Sequence, residues 1–465
     1  MFSMICFPPP RYRHILTIFI LCWSAQSHAA SPKFKFDEDT KTGRLTRVQI
    51  AVEISGELKI NADGKKVIPL PIIGKGDLLY DEKLLADKAS PDARSAVRYY
   101  HTASAQSRVG DKDLTTSLSN DRRLIRVVAT ESNVTLSSPT GPLAVDELEL
   151  IDAQGNSILL NRLLPSTEVS IGDKWTHDEK LAAALFGLDV VVKSTLESVL
   201  KRVDGQIAYI ELSGTTSGSV AGVASDVEAT AKYSFDLEQR RITWLAMSIQ
   251  EHRAVGHAEP GFDLTARLRI SINPATETPP ELSDDAVLTL PRDSTAAPWL
   301  TFHSQVGGFR LVHDRNWRLM IDRNDVTVLR FVERGELIAQ CNISRLPDAA
   351  EKKQLTMASF QTDIQRVLDK NFGQFAESTE SKNERGLRVL RTVVSGVAAD
   401  LPIQWTYYHL TDDQGRQASL VFTLDAKLVE RFAGGDQTLV STFQLVDREP
   451  IAKTAVITKE KSDRK

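Results

Sequence analysis

The sequence predicts an α+β protein of two domains: a large antiparallel β-sheet domain with few short helices, and a second antiparallel sheet covered by helices. Three observations lead to this prediction. Apolar and polar residues alternate along most of residues 34–274, as they do in half-buried strands. The segment 273–298 contains five prolines and loses that alternation, which marks a linker. The chain has 465 residues, more than one hydrophobic core usually organises.

The first 29 residues have the anatomy of a secretory signal peptide. Arg11 and Arg13 precede an apolar run, Ile15–Trp23, and the small residues of "AQSHAA" follow it. This run is shorter than the roughly 20 apolar residues that a membrane-spanning helix needs, so a cleaved signal is favoured over an anchor. We therefore predict export to the periplasm or the extracellular space, with cleavage after Ala29 or, alternatively, after Ala30.

Residues 30–272 are predicted to form the β-rich domain. Long alternating runs such as "RLTRVQIAVEISGEL" and "VDELELIDAQGNSILL" are typical of strands in a large antiparallel sheet. The clearest pair, "DVEATAKYSFDL" and "RRITWLAMSIQEHRAV", meets at the turn residues Glu238 and Gln239. The glycine-rich run Gly214–Gly222 lacks the lysine and the following helix of a phosphate-binding loop, so it indicates a strand with a β-bulge.

Two short helices are predicted beside this sheet. One is "YDEKLLADK", which begins at Tyr80, and the other is "THDEKLAAALFG", from Thr176 to Gly187. Small amphipathic helices of this kind would cover the apolar face of a long curved sheet.

Residues 299–449 are predicted to form the second domain, and residues 450–465 a polar tail. The run "GGFRLVHDRNWRLMIDRNDVTVLRF" alternates around a turn and indicates strands. The longest helix is predicted within "QLTMASFQTDIQRVLDKNFGQF", where apolar residues recur at helical spacing. Three further strands and a short helix, "KLVERFAGG", complete an antiparallel sandwich.

Over residues 301–447, this second domain resembles the PsbP/DcrB-like α/β/α sandwich. The similarity is carried by Gly308 and Phe309, Trp317, the hairpin at Gly415 and the late strand "STFQL". Members of this group share a scaffold rather than a reaction, so the resemblance implies a binding or assembly module. The β-rich domain resembles uncharacterised secreted bacterial proteins with a long antiparallel meander. Some lipoprotein carriers share that pattern, which implies lipid binding as an alternative.

No metal or cofactor site is predicted. His252 and His257, which lie near Glu251 and Glu259, are five residues apart and would face opposite sides of a strand. The zinc-binding helix motif instead places two histidines four residues apart, with a glutamate after the first. We therefore expect a polar strand end at this place.

The neighbouring pairs His177-Asp178 and His313-Asp314 are predicted to be structural, because aspartates suit helix starts and turns. Cys341 is the only cysteine that follows the predicted signal peptide. It lies in the alternating run "LIAQCNISRL", where a buried structural thiol is expected rather than a nucleophile.

Catalytic motifs of hydrolases are also missing from the sequence. It contains no G-x-S-x-G nucleophile elbow and no phosphate loop. On a strand, Asp146 and Glu147 would face opposite sides and Glu149 would lie on the side of Glu147. A single strand of this kind does not establish the paired carboxylates of a glycosidase.

The aromatic residues Trp317, Trp405 and Tyr407 are the candidate ligand or partner surface. Trp405 and Tyr407 share one strand face, and Tyr408 lies on the other. The alternative is that these side chains belong to the core, as aromatic strand residues usually do.

We predict an exported, non-catalytic envelope protein that acts as a binding or assembly module for protein or lipid. The net charge of −4 and the absence of a basic cluster argue against nucleic acid as a partner. No transmembrane segment is expected in the mature chain. Two alternatives remain open. A lipid or apolar-ligand carrier would need a continuous apolar cavity between the first sheet and its helices. An exported hydrolase would need a pocket with several convergent polar groups of shifted pKa.

Overall fold

The computed structural model describes residues 32–39, 41–60, 66–86, 94–256, 260–291, 299–349 and 354–448. The predicted signal peptide and polar tail lie outside these ranges. Within them the protein is β-rich, with large antiparallel sheets and few helices, as the sequence predicts. None of the helices in the described ranges has both the length and the apolar character that crossing a bilayer requires.

The secondary-structure elements divide into strands before residue 291, strands after residue 298, and short helices. The earlier strands are β1 (Leu45–Ile60), β2 (Ile68–Leu85), β3 (Arg94–Val109), β4 (Lys112–Ser117), β5 (Leu124–Ala129), β6 (Val134–Ser137), β7 (Leu143–Ala144), β8 (Lys174–Thr176), β9 (Val190–Ser194), β10 (Glu197–Asp204), β11 (Ile207–Val220), β12 (Val223–Asp236), β13 (Arg241–Arg253) and β14 (Gly261–Pro274). The later strands are β15 (Trp299–Ser304), β16 (Phe309–Asp314), β17 (Trp317–Asp322), β18 (Thr327–Glu333), β19 (Glu336–Leu346), β20 (Phe372–Lys382), β21 (Arg388–Ala398), β22 (Leu401–Thr411), β23 (Gln417–Asp425) and β24 (Gln444–Leu445). The α-helices are α1 (Val145–Ile151), α2 (Glu179–Phe186), α3 (Asp284–Leu288), α4 (Met357–Leu368), α5 (Val429–Phe432) and α6 (Gln437–Thr442). Short 3₁₀ helices span Asn120–Arg122, Ser157–Leu163, Pro280–Leu282, Asp369–Asn371 and Ala426–Leu428.

The first sheet has 13 strands in the described part of the chain. Its main path runs β6-β5-β3-β2-β1-β14-β13-β12-β11-β10-β8, with β4 beside β3 and β9 beside β11, and neighbouring strands are antiparallel. Alternation gives the sheet two unlike faces. We call the face that bears Val48, Ile50 and Val52 the inner face, and the face that bears Gln49 and Glu53 the outer face.

Helices cover the middle of the inner face. Ile151 of α1, Leu159 of the second 3₁₀ helix and Leu185 of α2 are buried, and they join inner-face strand residues in one hydrophobic cluster. Burying this apolar surface supplies the main driving force for packing the helices on the sheet.

The helix α2 confirms the prediction made for residues 176–187. It begins after Asp178, whose Oδ1 accepts a hydrogen bond from the backbone N–H of Leu181 at 2.6 Å. It ends at Gly187, whose φ of 68° is in the left-handed region that glycine adopts without strain.

The helix predicted from Tyr80 is wrong, because residues 80–85 form the last part of β2. This segment pairs with β1 on one side and β3 on the other. Its charged residues find partners within the sheet: Asp81 accepts two hydrogen bonds from Arg47, at 2.8 and 2.9 Å. Glu82 accepts one from Arg98 at 2.7 Å. Pairing with strands that are distant in the sequence thus overrides the local preference for a helix. Residues 87 and 88 of the predicted helix lie outside the described ranges.

The strand predicted from "VDELELIDAQGNSILL" is also wrong, because this run forms α1 and the 3₁₀ helix that follows it. Glu147 explains the start of α1. Its Oε2 accepts a hydrogen bond from the backbone N–H of Ala144 at 2.9 Å, and its Oε1 accepts one from that of Ser119 at 3.0 Å. Asp146 and Glu149 are three residues apart, so their side chains share a face of the helix. In a strand, Glu149 would instead have shared a face with Glu147.

Part of the predicted linker, residues 273–298, packs against the first sheet. β14 runs on to Pro274, and Leu282 is fully buried. The Lys83 ammonium donates a hydrogen bond to the carbonyl of Leu282 at 2.7 Å and contacts the carboxylate of Asp284 at 2.6 Å. Residues 292–298 lie outside the described ranges.

The second large sheet has seven antiparallel strands in the order β17-β18-β19-β23-β22-β21-β20. Helix α4, which lies inside the predicted segment, packs on one face through Phe360 and Ile364. On the other face, Phe432 of α5 and Leu439 of α6 join a larger cluster. Both faces of this sheet therefore have a helical cover.

A small sheet joins the two parts of the chain. Its order is β24-β16-β15-β7, and β7 comes from the first part whereas the other three strands come from the second. β7 is parallel to β15, with Leu143 beside Leu300. Both leucines belong to the hydrophobic cluster of the first sheet, so this contact ties the second part to the first core.

Candidate functional site

The inner face of the first sheet continues beyond its helical cover at the end where Ile60 and Ile68 pair, which we call the open end. Ile50, under the helices, is 2% exposed. Leu58 and Leu70, toward the open end of the same two strands, are only half-buried. Apolar side chains that a fold leaves partly uncovered mark a region suited to binding.

A cavity of about 310 Å³ lies where this cover ends, between the sheet and α1, and we call it the inner cavity. Val52, Ile54 and Leu78 form the apolar part of its sheet wall. Leu150 and Ala153 line the opposite side, at the end of α1 and just beyond it. The lining is therefore mainly hydrocarbon, as in pockets that hold small apolar molecules.

Small residues on neighbouring strands create this space. Gly76 of β2 is opposite Ala105 of β3. Gly74 is opposite Ser107, but the side chain of Ile54 lies over it, since a Cβ atom at Gly74 would be 2.9 Å from Ile54 Cγ1. A Cβ atom at Gly76 would lie 3.5 Å from that of Ala105, an ordinary contact distance. The sequence analysis did not find this site. The available signal was the alternation of small residues in "GKG" and "ASAQS", because a glycine inside a strand weakens the strand and often marks a place that another group approaches closely.

Two carboxylates line the inner cavity. Asp146 and Glu149 of α1 are exposed and border it together with Leu150. Lys75 also borders the cavity, but its side chain alternates to the outer face, where its ammonium lies 3.6 Å from the carboxylate of Glu53. The charged side chains that face the cavity are therefore acidic.

The outer face carries two grooves of mixed polar and apolar lining, of about 680 and 670 Å³, and the first of them exposes Ile73 and Leu114. In the first, Arg108 pairs with Asp113 at 2.7 Å. In the second, His252 Nδ1 contacts a carboxylate oxygen of Asp263. His257 and Glu259, the other members of the weighed histidine group, lie outside the described residues. No group of three or more metal-ligating side chains comes together within the described ranges.

A buried polar cluster lies under the helices of the inner face, away from the cavity. The Arg98 guanidinium donates to Glu82 at 2.7 Å and to Ser157 Oγ at 3.0 Å, and it lies 4.6 Å from the ring centre of Tyr80. Tyr80 and Ser157 are hydrogen-bonded at 2.9 Å, and burial raises the pKa of Tyr80. These polar groups are hydrogen-bonded to one another, so we interpret the cluster as a structural feature that fixes the 3₁₀ helix Ser157–Leu163 to the sheet.

A polar cavity of about 340 Å³ lies in the second part of the chain. The hydroxyl of Tyr408 donates to Asp436 at 2.5 Å and accepts from Arg391 Nε at 3.0 Å. Burial, together with the charge of Asp436, raises the pKa of Tyr408. A raised pKa keeps this phenol protonated, which suits a hydrogen-bonding role and opposes a nucleophilic one.

The structure does not bring Trp317, Trp405 and Tyr407 together. Trp317 is 1% exposed, packs against Phe331, and donates from its indole N–H to the carbonyl of Gly435 at 3.2 Å. Trp405 is 7% exposed and half-buried Tyr407 lies beside it, on the face that α4 covers. The candidate surface is therefore divided between the two opposite faces of one sheet, and helices cover both of those faces.

Two of the histidines considered from the sequence have structural surroundings. His177 Nε2 is hydrogen-bonded to Ser198 Oγ at 2.8 Å, and burial lowers its pKa to about 4. His313 is 2% exposed and burial lowers its pKa, while Asp314 Oδ1 accepts from the backbone N–H of Asn316 at 2.7 Å in a turn.

Cys341 is fully buried, as the sequence predicts. Burial raises the pKa of its thiol well above the ordinary value. A buried thiol of raised pKa is a poor nucleophile.

No protein-family model and no curated protein matches the sequence. Among solved structures, the Ran-binding protein Mog1p of Saccharomyces cerevisiae is similar at 12% identity and a TM-score of 0.26, over 32% of this chain and 96% of that one. The PsbP protein of the cyanobacterium Synechocystis is similar at 15% identity and a TM-score of 0.24, over 34% and 99%. Lipovitellin is similar at 8% identity and a TM-score of 0.29, over 52% of this chain and 26% of that one. Likenesses this weak assign neither a family nor a function to the chain.

Proposed function

We propose that the protein is an exported, non-catalytic binding module of the cell envelope that holds one apolar chain in the inner cavity. The observation that supports this most is the cavity itself, which lies between the first sheet and α1 and is lined mainly by hydrocarbon. This is the arrangement that the carrier hypothesis requires.

The size of the cavity favours a single chain. Its volume of about 310 Å³ is at the lower end of the roughly 300–1,000 Å³ range of small-molecule pockets. Each methylene that leaves water for this lining contributes about 0.8 kcal/mol. The half-buried side chains of Leu58 and Leu70 continue the apolar surface toward the open end, so a longer chain would find further contacts there.

We infer that residues 299–448 form a PsbP/DcrB-like sandwich that acts as a scaffold beside the binding sheet. Its support is the layered arrangement, with α4 on one face of the seven-stranded sheet and α5 and α6 on the other. The contact between β7 and β15 would hold this scaffold in a fixed position relative to the first core.

The experiment that tests binding is native mass spectrometry of the purified protein, with lipid extraction of the same sample, followed by titration with a fluorescent fatty-acyl probe. The matched variants are Ala105→Leu and Ser104→Leu, which add the same side chain to opposite faces of β3. In Ala105→Leu the larger side chain would project into the cavity and should weaken probe binding by about tenfold or more, which corresponds to about 1.4 kcal/mol.

Ser104→Leu, whose added side chain lies on the outer face, should bind the probe like the unmodified protein. Circular dichroism would verify that both variants are folded. Equal binding by all three proteins, or no binding of any acyl probe by the unmodified protein, would rule out the inner cavity as the site.

A further inference from the structure

We propose, on the basis of the function proposed above, that a contact between two hairpin turns is a latch that controls access to the inner face of the first sheet. The first turn, residues 221–222, joins β11 to β12, and the second turn, residues 334–335, joins β18 to β19. While the turns are in contact, a bound apolar chain is retained. When the end of the first sheet that carries residues 221–222 moves away from the second turn, the chain enters or leaves.

The first step of the argument is that the second part of the chain is attached on the inner side of the first sheet, close to one margin. β15 pairs with β7, and Leu300 of β15 joins the hydrophobic cluster of the inner face. The Arg315 guanidinium donates a hydrogen bond to the backbone carbonyl of Leu136 at 2.6 Å. Leu136 belongs to β6, which is the strand at that margin. We call these contacts the first attachment.

The second step is that the turn contact lies on the other half of the sheet, at the open end. In the strand order, β11 and β12 are separated from β6 by β1 and β14. Arg253 of β13 is opposite Ser225, near the start of β12, and also opposite Phe262 of β14. Phe262 is in turn opposite Leu58, near the open end of β1. The second part of the chain therefore crosses the inner face between the first attachment and the turn contact.

The third step is that the two turns approach closely and are held together by few interactions. Gly222 has a φ of 74° and Gly335 a φ of 81°, in the left-handed region that favours glycine. A Cβ atom at either glycine would lie 2.5 Å from the Cα atom of the other, so neither position has room for a side chain. Among the described residues, no hydrogen bond or ion pair links the two turns. The turn contact therefore depends on shape alone, whereas the first attachment has paired strands and buried leucines.

The fourth step is that each turn is supported within its own part of the chain. The backbone N–H of Ala221 donates a hydrogen bond to the carboxylate of Asp189 at 2.6 Å, and Asp189 lies shortly after α2. Beside the second turn, Glu333 and Glu336 accept hydrogen bonds from Arg431 of α5 at 2.9 and 2.5 Å. Both turns can therefore separate without losing these supports, as the rigid elements of a hinged closure do.

The test uses Gly335→Ala, with Gly386→Ala as its matched control. Both glycines have a φ of 81°, so alanine imposes the same backbone strain at each position. In the described part of the chain, a Cβ atom at Gly386 meets nothing within 4 Å beyond its chain neighbours, whereas at Gly335 it would collide with Gly222. Gly222→Ala produces the same collision from the first turn. Its control is Gly205→Ala, where φ is also positive and the space is open.

Two measurements on the full chain give the result. Hydrogen exchange should become faster at residues 221–222 and 334–335 and at the adjoining strand ends in the two latch variants, and not in their controls. Stopped-flow fluorescence should show a fluorescent fatty-acyl probe binding and dissociating about three- to tenfold faster in the latch variants, with its dissociation constant changed by less than about twofold. Both rates should rise together because the latch changes the path to the cavity and leaves the lining of the cavity unchanged.

If the latch variants separate the turns but release the probe at the rate of the controls, the contact does not control access. The inference is then wrong, while the proposed apolar site stands. Unchanged hydrogen exchange at both turns in Gly335→Ala and Gly222→Ala would also show that the inference is wrong. If the unmodified protein binds no acyl probe, the proposed function is wrong and the control of access is wrong with it.

Discussion

The two large sheets of this protein differ in how their faces are covered. The seven-stranded sheet has α4 on one face and α5 and α6 on the other, so its aromatic residues interlock in closed clusters. The first sheet has its main helical cover on the middle of its inner face, and that cover ends before the strands do. On its outer face, in the described part of the chain, the short helical segment 280–288 packs beside Lys83 near one end of β2. The inner cavity lies at that boundary.

This difference shows which residue types mark a binding region here. In the doubly covered sheet, Trp317 and Trp405 are core residues, although large aromatic side chains on strands were the sequence-based candidates for a surface. In the partly covered sheet, Gly76 and Ala105 matter because they leave room. The space between elements, rather than the chemistry of a single large side chain, identifies the candidate site.

The largest effect that separates the two sheets should come from Trp317→Ala. This change removes a fully buried indole that contacts Phe331 and Phe432, and we expect it to lower the free energy of unfolding of the second part by about 3–5 kcal/mol. Chemical denaturation monitored separately by probes in each part would measure this change.

The control for that change is Leu319→Ala on the same strand, where the side chain is 44% exposed. Its cost should stay below about 1 kcal/mol, as for most surface changes. Binding of an acyl probe at the inner cavity should survive in both variants. A similar loss of stability from the two substitutions would mean that the core around Trp317 is less tightly packed than its contacts indicate.

Much of the fold could be predicted from local pattern. The strands β12 and β13 and the helix α4 follow their periodicity, because each buries one face against a large neighbour. The end of β2 could not be predicted in this way. Its acidic residues Asp81 and Glu82 are neutralised by Arg47 and Arg98, which come from other strands, and a local pattern does not contain those partners.

The candidate site was even less accessible from the sequence. The cavity exists because Gly76 on β2 meets Ala105 on β3 while α1 ends nearby. Each of these facts depends on strand register and helix placement. The run that forms α1 alternates acidic and apolar residues and therefore has the period of a strand, so even the helical wall of the site was assigned to the wrong element.

Lowering the pH should reduce the stability of the first part of the chain by an intermediate amount, because His177 becomes protonated. Burial lowers the pKa of His177 from 6.5 to about 4 in the folded protein, whereas in the unfolded chain it stays near 6.5. The stability that depends on its neutral form is fully present above about pH 6.5 and is lost as the pH falls toward 4. Between pH 7 and pH 5 we expect a loss of about 2 kcal/mol, measured by urea denaturation.

The matched variants for this pH effect are His177→Gln and His303→Gln. The His303 side chain is exposed on β15, so its replacement should leave the pH dependence unchanged. His177→Gln should flatten the dependence between pH 7 and pH 5 for probes in the first part. The same slope in both variants would show that the interaction of His177 with Ser198 does not control this response.

The smallest effects should come from the helix caps, and they test whether the helices of the two sheets are held in different ways. Asp178→Ala removes the acceptor for the N–H of Leu181 in α2, and Thr356→Ala removes the acceptor for the N–H of Ser359 in α4. Each substitution should lower the free energy of unfolding by about 1 kcal/mol.

Hydrogen exchange should show the difference between the two helices. Because α2 lies on the partly covered inner face, its loosening should also raise exchange in the strands beneath it. Loosening α4 should leave the opposite face of its sheet protected, because α5 and α6 still cover that face. If hydrogen exchange became faster over equally many strands in both variants, the extent of helical cover would not determine how far local unfolding extends into the sheet.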